Sequence, residues 1–196
     1  MSTSALRLAS AGSAGRDRDA QAREAVERGD HRAALVLLMD AHGPAILRYC
    51  ERMVGDLERA RDLRQVVFVQ AFQGMHGFAG RSSLRSWLFG IARHRCLDEI
   101  KARGRRRDVL CEEPEGEAAP AETGEERAWL VHATIVRCLR GLEVRVRDAV
   151  LLRLQDGFTF PELEAMLEER AGTIEARVRR GSQRLRQCLD RHGVRP

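Results

Sequence analysis

Apolar residues recur along this chain near helical spacing, and the breaks between runs fall at glycines. The first clear run spans residues 31–54, with Leu35, Leu38, Ile46 and Met53 among its apolar positions, and Gly55-Asp56 ends it. A second helix is predicted over 57–74. Leu63, Val66, Val67 and Phe68 make it apolar, while Asp62, Arg64 and Gln65 leave a polar strip. A glycine-bearing loop, 74–80, leads to Ser82 and Ser83, either of which can cap the next helix. That helix carries Leu84, Leu88, Ile91, Cys96 and Ile100, is expected to end at Gly104, and is followed by Arg105, Arg106 and Arg107. Ahead of all this, residues 1–30 read as a flexible polar arm with a helical stretch over 18–28.

Past residue 107 the polarity changes sign. Glu112, Glu113, Glu115, Glu117, Glu122, Glu125 and Glu126 are interspersed with Pro114 and Pro120, the signature of a solvated linker. The chain is therefore read as all-α, in two small helical domains: 31–107, then an acidic linker over 108–126, then 127–193. The second domain opens with a helix to about Arg140 and another from about Glu143 to Gln155. Thr159 and Glu162 then form a T-x-x-E capping box, with Pro161 in the permissive first turn and Phe158 and Leu163 placed as a hydrophobic staple. A short helix to Met166-Leu167, a turn, and a long helix over 171–189 follow. In the long helix Ile174, Val178, Leu185 and Leu189 form an inward stripe, and Arg177, Arg179, Arg180, Arg184 and Arg186 surround it. A short helix, a tight turn and a long basic helix make a helix-turn-helix pattern, whose second helix enters a major groove.

Composition narrows the partner. The formal charge is +5, and Lys101 is the only lysine, so positive charge is carried almost wholly by arginine. That suits an anionic partner and forked recognition of phosphates and bases. Five cysteines, Cys50, Cys96, Cys111, Cys138 and Cys188, are odd in number and widely spaced, without C-x-x-C. No disulfide framework is expected, and a reducing cytosol fits. His94 and Cys96 are two residues apart and point to different helix faces, so they are not a metal pair. No apolar run approaches the roughly 20 residues of a membrane span. A Gly-rich phosphate loop, a carboxylate pair with a base, and metal-ligand spacing are all lacking, so neither an enzyme nor a metal or cofactor site is expected.

The segment "DLRQVVFVQAFQGMHGFAGRSSLRSWLFGIARHRCLDEIKARGRRR" resembles the second domain of an extracytoplasmic-function (ECF) sigma factor of the sigma-70 family. "LEVRVRDAVLLRLQDGFTFPELEAMLEERAGTIEARVRRGSQRL" resembles that family's fourth domain. The resemblance implies an alternative sigma factor that brings RNA polymerase core to promoter DNA and has no catalytic residues. It implies that Asp62, Gln65 and Phe68 lie against the beta-prime coiled coil, and that the fourth domain, in residues 127–193, also docks on the beta flap. The −10 element would be opened and read by Phe78, Arg81, Ser82, Ser83, Arg85, Arg93 and His94. The −35 element would be read by Glu175, Ala176, Arg179 and Arg180, with Arg177 on phosphate. An anti-sigma factor is an implied partner, and a cytoplasmic location follows. Trp87, beside Leu88 and Ile91, is assigned to packing rather than to base stacking.

Three positions depart from the family pattern. Val66 stands where an acidic residue is common, and His94 where asparagine is. The turn Leu167-Glu168-Glu169-Arg170 lacks the usual glycine, apolar residue and capping serine, which puts its geometry in question. A helix-turn-helix regulator without sigma activity is the rival reading; it accounts for the last four helices but not for the first domain.

Overall fold

The structure, a computed structural model, describes residues 17–107 and 124–194. Eight α-helices make up the described residues, and no strand occurs among them. In chain order they are α1 (17–27), α2 (His31–Val54), α3 (Leu57–Gly74), α4 (Leu84–Arg107), α5 (Gly124–Arg140), α6 (Val144–Val150), α7 (Phe160–Leu167) and α8 (Ala171–Arg191). A 3-10 turn, Met75–Gly77, follows α3, and α6 widens into a π-helical turn, Leu151–Gln155.

Local chemistry accounts for most boundaries. Asp30 caps α2 by accepting from the Ala33 amide at 3.0 Å, and Asp56 caps α3 by accepting from Arg59 at 3.1 Å. Of the two serines before α4, Ser83 is the cap: its hydroxyl accepts from the Ser86 amide at 2.9 Å. The Thr159–Glu162 capping box forms with both of its reciprocal bonds. Gly55 ends α2 at φ 73°, in the left-handed region. A Cβ there would also sit 2.4 Å from the Arg140 side chain, so this position needs glycine twice over.

Several expectations change. Gly104 does not end α4, which runs on through Arg107; a single helical glycine costs only about 1 kcal/mol against alanine. The stretch read as an arm holds α1, whose Ala22 and Ala25 are buried and whose Asp19 pairs with His42 of α2 at 2.6 Å. Cysteine pairing was not expected, yet Cys138 of α5 and Cys188 of α8 form a disulfide. Their 50-residue separation carries no spacing signature; only the packing of α5 against α8 brings them together. Residues 108–123 of the acidic linker and the Arg105–Arg107 side chains lie outside what the structure describes, while residues 124–126, read as linker, open α5.

The first core is built by α2, α3 and α4 around Leu38, Ile46, Met53, Val67 and Leu88. The second is built by α6, α7 and α8 around Leu152, Leu163, Ile174 and Val178. Gly181 lets α8 approach α6 closely, since a Cβ there would lie 2.6 Å from both Val146 and Val150.

The two halves meet along a buried seam. Phe158, fully buried, packs edge-on against Phe89 of α4 with ring centroids 5.0 Å apart, and Phe89 meets Tyr49 of α2 at 5.7 Å. Arg85 lies 4.0 Å over the Phe158 ring and donates to the Asp156 carbonyl. Asp148 of α6 accepts from Tyr49 at 2.8 Å and from Arg93 at 2.7 Å. Arg147 donates to the Met53 carbonyl of the first half and to Arg140 and Leu142 of its own. His132 of α5 meets Glu51 of α2 at 2.8 Å, and Arg52 donates to Gln155 at 2.6 Å. Burial, with Arg140 close by, pulls the Arg147 guanidinium down to about 10.

Asp156 is a second buried acid at this seam. Burial pushes its carboxyl up to about 6, against the opposing pull of Gln155, Arg85, Arg48 and Arg52. A raised carboxyl favours the folded state when protonated. Its contribution is therefore present below the unfolded value, near 4, and is lost as pH rises through about 6. Asp156→Asn is expected to flatten stability between those pH values and to raise the pH 7 melting temperature by a few degrees. Thermal melts of both proteins across that window measure it, and an unchanged pH slope would contradict it.

Candidate functional site

Three surfaces carry the residues singled out in the sequence. The first is a groove of about 470 Å³ between α2 and α3, lined by Leu35, Met39, Asp62, Gln65, Phe68 and Phe72 among others. Asp62 and Gln65 project from it into solvent, while Phe68 is buried at its floor. Its rim is apolar: Met39, Val66, Val69 and Phe72 are each 41–50% exposed. Val66, where the family commonly has an acid, extends that apolar strip. In a chain with 32% charged residues, such a patch marks a contact surface. Met39 and Phe72 belong to it and were missed in the sequence. They lie on the helix faces that cannot both point inward, a signal legible only once α2 and α3 are paired.

The second surface is the loop between α3 and α4 with the start of α4. Arg81, Ser82, Ser83 and His94 are exposed, and Phe78 is half-buried, tilted against Trp87 with centroids 5.2 Å apart. Trp87 also lies against Gly74 and packs on the first core, as its neighbours suggested. Opposite this loop stands α7. Between them lies a cavity of about 560 Å³, with Ser83, Trp87 and His94 on one wall and Pro161, Ala165 and Met166 on the other. The set is not all brought together: Arg85 and Arg93 turn into the seam, on Asp156 and Phe158 and on Asp148 respectively. Sequence reasoning missed Asp148, Tyr49 and Phe158 as the groups that hold them. The available signal was Asp148 at the head of the apolar run Ala149, Val150, Leu151 and Leu152; a carboxylate drawn inside with that run must find partners.

The third surface is the outward face of α8. Glu175, Arg179 and Arg180 are exposed, and among the described residues none of them has a hydrogen bond or ion pair. Glu175 does not pair with Arg179, one turn along. Ala176 is half-buried between them. Arg177 is turned away from this face: it donates twice to Glu169, once at 3.0 Å, and this bond holds the Glu169 carboxyl below its ordinary range.

The turn before α8 keeps its helix-turn-helix form at a local cost. Glu168 sits at φ 55° and ψ 37°, the left-handed conformation that the missing glycine would take freely. Arg170 stands at the cap of α8 without a side-chain capping bond. The Glu169–Arg177 pair ties the turn to the helix instead.

Comparison with known proteins identifies the family. Residues 38–106 match the model of the family described as Sigma-70 region 2. The RNA polymerase sigma-H factor of Pseudomonas aeruginosa is 30% identical over 183 residues, which is 88% of this chain and 94% of that protein. The ECF RNA polymerase sigma-E factor of Escherichia coli K12 is 26% identical, over 79% of this chain and 85% of that one. Among solved structures, the sigma factor RpoE of Bartonella quintana, in complex with the anti-sigma factor NepR, superimposes with a TM-score of 0.66. It is 26% identical, over 82% of this chain and 97% of that one. The chain belongs to the extracytoplasmic-function sigma factors of the sigma-70 family.

The turn gives a direct test of local strain. Glu168→Gly relieves a left-handed residue, whose cost is roughly 1–2 kcal/mol. Arg170→Ser supplies a cap worth about 1 kcal/mol. Each is expected to raise the unfolding free energy by about 1 kcal/mol in urea titration, and the two to add nearly independently. A loss of stability in Glu168→Gly would mean that the Glu168 side chain supports the turn in some way its backbone angles do not reveal.

Proposed function

We propose that this alternative sigma factor docks on RNA polymerase core through the α2–α3 groove and reads promoter DNA through the other two surfaces. The groove carries the proposal: it is an exposed apolar strip bordered by Asp62 and Gln65, on a face that the seam leaves free. A helical element of the polymerase, the beta-prime coiled coil, fits such a strip, with Met39, Val69 and Phe72 as anchors. The second half adds a contact to the beta flap.

On DNA, the loop 78–84 and the start of α4 hold the −10 element. Unstacking a base costs on the order of a few kcal/mol. Pocket contacts from Phe78, Ser82, Ser83 and His94, and phosphate contacts from Arg81, Arg85 and Arg93, offset it. His94 replaces an amide with an imidazole, whose different donor and acceptor pair alters the preference at the base it meets. The outward face of α8 reads the −35 element. Arg180 can fork onto guanine, and Glu175 can accept from cytosine N4. The chain makes and breaks no bond itself. It works in the cytoplasm; among the described residues no helix is long and apolar enough to cross a membrane.

Arg85 and Arg93 are engaged in the seam. The second half must therefore swing away before these two arginines reach DNA. An anti-sigma factor that clasps both halves would hold the closed form, while core polymerase, which needs the surfaces spread apart, favours the open one.

Transcription in vitro with core enzyme alone separates this function from that of a helix-turn-helix regulator, which gives no initiation without another sigma factor. Asp62→Ala with Gln65→Ala is expected to weaken core binding at least tenfold with melting unchanged, because both side chains are exposed. Undiminished binding would remove the groove from the interface. On DNA, Arg180→Ala is expected to abolish preference at one −35 position, at a cost of roughly 1–3 kcal/mol. Arg177 is held by Glu169; if it exchanges that carboxylate for a phosphate on DNA, Arg177→Ala should weaken all sequences alike. If Glu175→Gln and Glu175→Lys leave the ranking of −35 variants unaltered, Glu175 reads nothing.

A further inference from the structure

The disulfide between Cys138 and Cys188 has a third neighbour. His192 caps the C-terminal end of α8 four residues after Cys188, so sulfur and imidazole share one face of the helix, and Cys138 faces them from α5. The two Sγ atoms and an imidazole nitrogen all lie within 4.8 Å of one another. Among the described residues no other three His, Cys, Asp or Glu donors converge in this way. A staple between two helices requires only the sulfurs. It leaves unexplained an exposed imidazole that, among the described residues, has no hydrogen-bond or ion-pair partner. The other described cysteines, Cys50 and Cys96, are free thiols buried in the first core.

We propose that, when reduced, Cys138, Cys188 and His192 bind a zinc ion. Two thiolates and an imidazole are the donor set that zinc prefers over magnesium or calcium. Zinc–sulfur bonds near 2.3 Å in tetrahedral geometry place the two sulfurs about 3.8 Å apart. Side-chain rotation reaches that separation from Cα atoms 5.7 Å apart without moving either helix. His192 closes a third corner, and the solvent side on which it stands leaves the fourth to water. A reducing cytoplasm, where the proposed function puts the chain, keeps such a pair as thiols.

The two states interconvert with defined chemistry. A dithiol reductant breaks the Sγ–Sγ bond, supplies two electrons and two protons, and becomes a disulfide itself. Zinc then displaces the two thiol protons to solvent. A peroxide reverses this: the two thiolates give two electrons to the O–O bond, the Sγ–Sγ bond re-forms, two protons are taken up and two waters leave. Zinc, left with the imidazole alone, is released. In both states α8 is clamped to α5, by metal in one and by a covalent bond in the other.

The test uses the full chain without an affinity tag, so the result is independent of sigma activity. Protein reduced with a phosphine is incubated with zinc sulfate and desalted, and metal is counted by mass spectrometry. About one zinc per chain is expected. Protein first oxidised with peroxide should retain none, Cys188→Ser none, and His192→Ala should bind at least tenfold more weakly. His192 is exposed, so its alanine variant should fold as the parent does, which circular dichroism checks. Cobalt in place of zinc should give the thiolate charge-transfer band and the visible bands of a tetrahedral ion. The proposal is overturned if reduced protein holds no more zinc than Cys138→Ser with Cys188→Ser. It is equally overturned if oxidised protein holds as much as reduced, or if His192→Ala binds as tightly as the parent.

Discussion

The arrangement of the two halves depends on one carboxylate. Asp148 is 2% exposed and belongs to the second half, but two of its partners, the Tyr49 hydroxyl and the Arg93 guanidinium, belong to the first. Taking a carboxylate out of water costs several kcal/mol. Burial raises the Asp148 carboxyl above its ordinary range even though Arg93 and Tyr49 pull it down. The same burial, with Asp148 adjacent, raises the Tyr49 phenol well above its own. Such a group specifies register more than it stabilises. With Tyr49 and Arg93 in place the halves meet in one orientation; displaced from them, Asp148 must reach solvent.

That logic sorts the molecule's basic residues. Arg85, Arg93 and Arg147 spend their donors across the seam, on a carboxylate and on carbonyls. Arg179 and Arg180 spend theirs on nothing within the described residues and stand in solvent on α8. An arginine held by a carbonyl or a buried carboxylate can exchange it for a phosphate, because the guanidinium fork fits both. The closed form is thus built from groups that DNA can compete for. The α2–α3 groove is untouched by the seam, so the surface proposed for polymerase stays available in the closed form, while Arg85 and Arg93 of the proposed −10 surface do not.

Helix positions were legible because each is signalled locally. Asp30, Asp56, Ser83 and the Thr159–Glu162 box cap their helices as their residue types require, and the limits of α2 and α3 follow from the glycine breaks. That Asp62, Gln65, Glu175 and Arg180 stand exposed was legible too, since they are polar on helices whose other faces are apolar. What was not legible is long-range. Phe158 looked like a local staple and is instead wedged beside Phe89. Arg85 and Arg93 looked like free phosphate ligands and are held by residues 55 to 71 positions away. Cys138 and Cys188 lie on different helices 50 residues apart, and their pairing follows from packing alone. The Cys188–His192 spacing is visible in the sequence, but it becomes a possible ligand set only with a third donor from α5.

The long helix α8 shows how such distant contacts outweigh local chemistry. Its turn is poor by every local rule, with a left-handed glutamate, no capping serine and no apolar turn residue. Local defects of that kind amount to about 1 kcal/mol each, and they act only at the first turn. Three tertiary contacts act elsewhere along the helix. Glu169 grips Arg177 near the start, Gly181 lets the middle settle onto Val146 and Val150, and Cys188 is bonded to α5 at the end. Contacts near the start, the middle and the end define a helix axis with no freedom left for the turn to choose. The axis of α8 is therefore set by α5 and α6 together with the Glu169–Arg177 pair, rather than by the missing glycine and serine of the turn. Chemistry at Cys188 acts on the C-terminal end of α8, while Glu175, Arg179 and Arg180, more than two turns away, keep their side chains free.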